Sequence, residues 1–198
     1  MILIEQTQVP DTALPVAEFR AHLQLGSGFA DDGMQDAVLV SQLRAAIATI
    51  EGRTSKALLE REFLQVNSAW RSLRQQVFAI APVRAVSSLV IVDVQGGETV
   101  ISADAYRVTR DTHAPAIASV GYSLPTIPVG GSADVVFVAG YGDWVDVPAD
   151  LQQAVFLLAA HYYENRSNGV TRTANLPLGV VSICRRYTPI RIVGARRI

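Results

Sequence analysis

The chain has 198 residues, of which 49% are hydrophobic and 18% charged, and this composition excludes a disordered protein. A formal net charge of -1 excludes an overall bias towards nucleic acid or an acidic surface. The single cysteine, Cys184, excludes an internal disulfide and a cysteine-based metal cluster, which suits a reducing compartment.

The sequence predicts neither a targeting signal nor a membrane span. Its first residues, MILIEQTQVPDT, lack a basic segment followed by a long apolar one, so they are not a signal peptide. The longest apolar stretch in a helical context, residues 154–160, is too short to cross a bilayer. We therefore expect a soluble protein that is made in the cytoplasm and has no membrane partner.

The N-terminal part predicts two helices. Pro15 stands at the start of a short amphipathic segment, where proline is tolerated because a first-turn N–H has no helical partner anyway. Asp31 and Asp32 predict the start of a longer helix, since carboxylates complement the positive end of a helix. Apolar residues then recur at helical spacing, and the helix is expected to end near Gly52 or Arg53.

From about residue 57 to residue 141 the pattern changes to short β-type runs separated by turns. The strongest strand candidates are residues 86–94 and 134–139, and Gly96-Gly97 after the first of them predicts a hairpin turn. Further strands are predicted at residues 58–70, 77–82, 99–101, 106–109 and 116–120.

Helical spacing returns after Pro148. Residues 151–165 predict a helix that is apolar around most of its circumference, so it is buried or shared between the core and a partner. Residues 180–186 predict a last short helix. We therefore predict an α+β fold, a small bundle of about four helices with an inserted β-rich unit and an extended C-terminal tail. The predicted ranges are 1–56 and 146–187 for the helical core, 57–145 for the insertion and 188–198 for the tail.

Residues that often carry chemistry are present, but their patterns do not match known catalytic motifs. The apolar helical surroundings of Cys184 predict a small buried residue rather than a nucleophile. His161 and Glu164 have a spacing that metal sites use, yet no second pair accompanies them. Asp143 and Asp146 precede a helix, where turn chemistry is expected. We predict no enzymatic activity, no cofactor and no metal. A small enzyme or ligand-binding domain that uses these last four residues is the alternative.

Charge is distributed unevenly along the chain. Before Gly52, seven acidic residues face only two arginines, whereas the stretch after Glu164 has seven arginines and no acidic residue. The end of the chain also alternates basic and apolar residues, which suits docking on a partner, for example as an added strand. Contact with DNA phosphates is the competing interpretation. An acidic surface on one copy would also complement this basic segment on another.

Three stretches together resemble one protein family. The first is ALPVAEFRAHL at residues 13–23, followed by Asp31-Asp32 and a helix that ends in IEGRT at residues 50–54. The second is FVAGYGD at residues 137–143 with Val147-Pro148, and the third runs from LQQAV at residue 151 to HYYENR at residues 161–166. In this order they resemble the head-tail connector (adaptor) family of long-tailed phages and alphaproteobacterial gene transfer agents.

The resemblance implies a structural role. Members of the family form a ring, usually of twelve copies, beneath the portal protein, where the ring extends the DNA channel and joins the head to the tail. The implied partners are the portal protein, a stopper or tail-terminator protein, further copies of the chain, and double-stranded DNA that passes non-specifically through the channel. The implied location is the neck of the particle, after assembly in the host cytoplasm. Another neck component, such as a stopper or tail-completion protein, is the alternative, although the helix–β–helix order argues against a mainly β stopper.

The resemblance also implies that the C-terminal segment reaches towards the portal. We therefore expect the portal or subunit interface to combine arginines with apolar and aromatic residues of the C-terminal part. These residues are Arg185, Arg186, Tyr187, Arg191, Ile192, Arg196, Arg197, Tyr163 and Arg166.

Overall fold

The computed structural model describes residues 1–25, 34–165 and 176–188. Within these ranges the chain forms four α-helices and eight β-strands, which confirms the predicted α+β class. The helices are α1 (Val16–His22), α2 (Met34–Thr54), α3 (Ala149–Glu164) and α4 (Leu178–Tyr187). The strands are β1 (Ile2–Glu5), β2 (Arg61–Asn67), β3 (Gln75–Val77), β4 (Val83–Val92), β5 (Glu98–Val100), β6 (Tyr106–Thr109), β7 (Ala116–Ser119) and β8 (Ser132–Ala139). No helix in the described ranges is long and apolar enough to span a membrane.

Some predicted features lie outside the described residues. They are the helix start at Asp31-Asp32 and the predicted tail beyond Thr188.

The helices pack around one apolar core because each turns an aliphatic stripe inwards. The main contact joins α2 and α3, and α4 lies against both of them. Leu43 and Ile50 of α2 and Leu151 and Leu158 of α3 are fully buried in this core. The side of α3 that faces α2 is therefore buried, as predicted, and the contact of its other sides with a partner stays a prediction.

The β-rich part is a sandwich of two antiparallel sheets. One sheet has the strand order β1-β2-β8-β4-β5, and the other has the order β3-β7-β6. Phe63, Phe78 and Phe137 fill the space between the sheets, where the rings of Phe78 and Phe137 are 4.6 Å apart. The predicted hairpin turn joins β4 to β5, since the Asp93 N–H donates to the Gly97 carbonyl at 2.9 Å.

Strand β1 was not among the predicted strands. Its residues pair antiparallel with β2, from Ile2 opposite Val66 to Glu5 opposite Phe63. Residues 2–5 therefore lie in the five-stranded sheet, although the prediction placed them in the helical core. A four-residue strand whose partner lies far along the chain leaves little local pattern to recognise.

The chain enters and leaves the β-sandwich at one place, called here the joint (residues 55–61 and 140–142). The Glu60 N–H donates to the Gly142 carbonyl at 2.9 Å, so the two crossings lie side by side. Gly140 has a φ of +134°, and a Cβ built there would lie 2.5 Å from the Glu60 Cα. Only glycine fits this close approach.

Candidate interfaces for neighbouring proteins

Two of the predicted interface residues, Arg186 and Tyr187, meet on Asp150 at the start of α3. The Tyr187 hydroxyl donates to Asp150 Oδ1 at 2.6 Å, and Arg186 Nη1 forms an ion pair with Asp150 Oδ2 at 3.0 Å. These contacts fasten the end of α4 to the beginning of α3. Arg186 and Tyr187 therefore contribute to the fold of the subunit itself, whatever partner they also contact.

Burial and the Asp150 carboxylate raise the pKa of two nearby tyrosines. Burial, the hydrogen bond to Asp150 and the charge of Asp150 raise the pKa of Tyr187 far above its ordinary value. Burial, and then the same charge, raises the pKa of Tyr141. Tyr187 is therefore protonated across the physiological range and acts as a hydrogen-bond donor.

The described chain ends beside the C-terminal end of α2. Thr188 Oγ1 donates to the Cys184 carbonyl at 2.8 Å and lies 3.4 Å from the Arg53 carbonyl oxygen. Arg53, Arg185 and Arg186 all have exposed side chains. We call these three arginines the basic end of the helical core. Positive side chains at this place also complement the carbonyl ends of α2 and α4.

The other predicted interface residues divide into two groups. Tyr163 is half-buried on α3, where it packs against the helical core. The remaining five lie outside the described residues: Arg166, Arg191, Ile192, Arg196 and Arg197.

Most described acidic residues before Gly52 have a partner within the subunit. Four of the seven form ion pairs with arginines, and two more lie outside the described residues. The pairs are Arg20–Asp36, Arg44–Asp11, Arg61–Glu5 and Arg61–Glu51. These carboxylates are already neutralised, which weakens the idea that they complement the basic segment of another copy.

The joint contains an ion-pair network that sequence reasoning missed. Arg61 Nη2 lies 2.7 Å from Glu51 Oε2, Arg61 Nε lies 2.9 Å from Glu5 Oε1, and the Arg61 side chain is only 7% exposed. Glu51 also accepts a hydrogen bond from the Leu58 N–H at 2.7 Å. Burial alone would lower the pKa of Arg61, but the hydrogen bonds and charges of Glu51 and Glu5 raise it. One guanidinium thus connects α2, β1 and β2.

The residues of the alternative enzyme hypothesis are not brought together. Asp143 and Asp146 form a reciprocal capping box around a 3-10 turn, in agreement with the predicted turn chemistry. His161 is at the far end of α3, about 18 Å along the helix axis from its first residue. The described ranges contain no group of three metal-ligating side chains. Cys184 is buried, and burial raises the pKa of its thiol.

The outer face of the five-stranded sheet, which points away from the three-stranded sheet, carries an aliphatic patch among a few polar residues. The polar residues on this face are Glu62, Ser88, Glu98, Ser132 and Asp134. Sheets that face water normally carry polar residues there. The half-buried aliphatic residues on this face are Leu64, Val66, Val90, Val92, Val136 and Val138. At its margins Ile2 is 61% exposed, Ile4 44% and Val100 71%. An aliphatic patch of this kind is typical of a contact surface.

No protein-family model matches the chain, and no curated protein matches it. Solved structures of gene transfer agent (GTA) particles do. A chain from the neck of an empty GTA particle, computed with C6 symmetry, is 50% identical with a TM-score of 0.90, and the match covers 99% of this chain and 100% of that chain. A chain from the neck of the native GTA particle, computed with C12 symmetry, is 47% identical with a TM-score of 0.85 over 99% of this chain and 100% of that chain.

A third similar chain comes from the virion of the native GTA particle. It is 51% identical with a TM-score of 0.86, and the match covers 98% of both chains. The chain belongs to the family of GTA neck proteins. Because the matches run over nearly the whole length, the GTA neck proteins share the β-sandwich as well as the helical core. The gene transfer agent part of the predicted resemblance is therefore confirmed.

Proposed function

We propose that this GTA neck protein is the head-tail adaptor, a structural subunit that forms a ring under the portal, extends the DNA channel and joins head to tail. The observation that carries the proposal is the identity of 47–51% over almost the full length to chains of GTA particles. Two of those chains belong to necks computed with C6 or C12 symmetry, which supports a ring of identical subunits.

The basic end of the helical core is the proposed attachment point for the portal. The C-terminal segment leaves the described structure there, and residues 189–198 carry three arginines and no acidic residue. A segment rich in arginine next to a basic surface suits steering towards an acidic partner. The same arginines would face DNA phosphates only loosely, without reading sequence. We propose no catalytic role and no cofactor, because the relatives are components of a particle.

Another neck component, such as a stopper or tail-completion protein, is the competing proposal. The eight-stranded sandwich is the observation that favours it, because the described chain carries more β-structure than a simple helical bundle. A binding order separates the two roles. An adaptor binds the portal directly, whereas a stopper needs the adaptor to be in place first.

The deciding experiment mixes the purified chain with isolated portal rings and follows binding by sedimentation and electron microscopy. We expect direct binding and a ring of density beneath the portal. Binding only to portal rings that already carry another neck protein would assign the chain to the stopper position instead. A monomer in the absence of portal is compatible with either role.

A truncation tests the attachment point. The cut belongs after Thr188, because Tyr187 holds Asp150 and its loss would disturb the subunit. We expect the truncated chain to fold normally and to lose portal binding. The matched control replaces Arg191, Arg196 and Arg197 together by Gln, which keeps the length and removes the charge. Full portal binding by both variants would show that the helices, rather than the C-terminal segment, make the contact.

A further inference from the structure

The five-stranded sheet has two free edges. Within the described residues, β1 pairs only with β2 and β5 pairs only with β4, so they are the first and last strands of the order β1-β2-β8-β4-β5. A closed ring of identical subunits joins one surface of each copy to a different surface of the next. Two edges on opposite sides of one sheet are such a pair of surfaces.

The hydrogen-bond pattern shows which peptide groups point outwards from β1. The Gln6 N–H donates to the Glu62 carbonyl at 2.8 Å, and Ile4 lies opposite Leu64 in the same antiparallel register. Bonded and non-bonded positions alternate along an antiparallel pair. The peptide groups of Ile2 and Ile4 therefore face β2, and those of Leu3 and Glu5 face outwards.

The same alternation holds for β5. The Asp93 N–H bonds to the Gly97 carbonyl, and the Ile101 N–H bonds to the Leu89 carbonyl at 2.8 Å. Thr99 lies between these two bonded positions, so its peptide groups face β4. Those of Glu98 and Val100 face outwards. Each edge thus offers two residues with outward N–H and C=O groups.

Both edge strands are short and each carries one glutamate, but neither has lysine, proline or a bulge. Proteins commonly shield free edges with lysine, proline or a bulge. Strand β1 instead reads Ile-Leu-Ile-Glu and β5 reads Glu-Thr-Val. Ile4 and Val100 are both exposed, and both stand on the outer face of the sheet. The exposed aliphatic side chains of Ile4 and Val100 at these two edges favour contact with another chain over contact with water.

Direction and face also agree with a ring. Copies related by rotation about the ring axis keep the same sense of each strand along that axis, and the same face of the sheet points away from the axis in every copy. Because neighbouring strands alternate in direction through five strands, β1 and β5 run the same way, so an edge-to-edge contact is parallel.

In a parallel pair, the residue that bonds to the partner strand lies opposite a residue whose own peptide groups point away, and the two side chains share one face. Leu3 points its peptide groups outwards, Thr99 points its own towards β4, and both side chains lie on the inner face. With Leu3 opposite Thr99, the Leu3 peptide groups bond to Glu98 and Val100. Ile4 then lies beside Val100 on the outer face. No like charges are placed opposite each other.

We propose that neighbouring copies in the ring join their five-stranded sheets edge to edge, with β1 of one copy parallel to β5 of the next and Ile4 beside Val100 of the neighbouring copy. This inference rests on the proposed ring. It would bring the exposed aliphatic side chains at the two edges of the outer face together at each contact.

A disulfide between the double substitutions Ile4→Cys and Val100→Cys tests the contact. Within one copy the two positions are separated by four strand spacings, about 19 Å, so they cannot bridge internally. The native Cys184 is buried and does not compete. After assembly on portal rings and mild oxidation, we expect a ladder of covalent multimers on a non-reducing denaturing gel.

The matched control pairs Ile4→Cys with Thr99→Cys. Thr99 is the residue next to Val100, but its side chain points to the opposite face of the sheet. We expect this pair to give no multimers beyond those of the single-cysteine variants. Equal or absent cross-linking in both pairs, in rings that have assembled, would overturn the proposed pairing.

Proline substitutions give a second, independent readout. Leu3→Pro removes an outward N–H that no described internal bond uses, so we expect a folded subunit with a roughly tenfold or greater loss of ring assembly, because one backbone bond is lost at every contact. Leu3→Ala keeps the N–H and should assemble like the wild type. Normal assembly of Leu3→Pro would refute the edge pairing and leave the ring intact. Failure of the wild type itself to form a ring on the portal would count against the adaptor proposal.

Discussion

The helical core and the β-sandwich are stabilised in different ways. The buried residues of the helical core are almost all aliphatic. An aromatic contact joins Phe19 of α1 to Phe156 of α3, whose rings are 5.9 Å apart. The sandwich buries amides as well. Gln65 is fully buried, where its Nε2 donates to Asn67 Oδ1 at 3.1 Å and its Oε1 accepts from the Ala79 N–H at 2.8 Å.

The difference follows from where backbone hydrogen bonds are made. A helix satisfies its own peptide groups, so its buried face can be purely apolar. Strand β3 has only three residues, and the chain after it runs irregularly beside the large sheet. Gln65 supplies there the acceptor that a longer strand would have provided. The sandwich thus depends on particular polar pairs, whereas the helical core depends on volume and shape.

The largest expected effects come from emptying each core. Phe137→Ala in the sandwich should cost about 3–5 kcal/mol and Leu158→Ala in the helical core about 2–5 kcal/mol of unfolding free energy, because both side chains are fully buried. Urea unfolding followed by tryptophan fluorescence measures both. Trp70 belongs to the sandwich and Trp144 packs on the helical core, so single Trp→Phe variants report each region separately.

We expect both tryptophans to report one shared transition in either variant, because the joint couples the regions. Val100→Ala, at an exposed site, should leave the midpoint unchanged and serves as the control. Two separated transitions, with Phe137→Ala moving only the Trp70 signal, would show that the regions unfold independently.

The joint itself is the target of the second prediction. Arg61→Met should cost about 3 kcal/mol, since it leaves the largely buried Glu51 carboxylate without its counter-charge. Arg84→Met is the matched control, because the Arg84–Glu60 pair is exposed and its loss should cost less than about 1 kcal/mol. Adding Glu51→Gln to Arg61→Met should recover stability, and no recovery would mean that Arg61 acts through packing instead of charge. The measurement is again equilibrium unfolding.

The smallest effect concerns the contact between α4 and α3. Tyr187→Phe should cost about 1 kcal/mol at neutral pH, a value reduced for the partial exposure of the hydrogen bond to Asp150. The folded state raises the pKa of Tyr187 above its unfolded value near 10, so this stabilisation is present below pH 10 and is lost as the pH rises further. Unfolding at pH 8 and above pH 10 should therefore show a difference between wild type and variant that shrinks with pH. Tyr122→Phe, at an exposed residue, should show no difference at either pH.

Local patterns predicted most of the elements. The helices α1, α3 and α4 and the strands β4 to β8 follow apolar spacing, β-branched residues and turn glycines, all of which act over a few residues. The joint depends instead on contacts between distant residues. Nothing near Arg61 in the sequence marks Glu5 and Glu51 as its partners, because strand pairing and helix packing bring them together.

Lys56 illustrates the same limit. It is the only lysine of the chain, and lysine side chains are normally exposed. Lys56 is nevertheless fully buried at the joint, where it donates to the Thr112 carbonyl. Burial lowers the pKa of its ammonium group, with the charge of Asp111 acting in the opposite direction. The interface residues are a different case. Charge and the family resemblance predict Arg186 and Tyr187 as interface residues, but no local pattern predicts their contacts with Asp150.

The side-by-side crossings at the joint have a consequence for how such a protein can diversify. Leu59 and Gly142 form a β-bridge, so the two chain crossings at the joint are adjacent. If a gene segment that encodes residues between them is gained, lost or exchanged, the helical core has to close only a short gap. Recombination among related particles would then exchange the β-sandwich of a neck protein in one step. Strand β1, which stays with the N-terminus, would have to find a new partner strand each time.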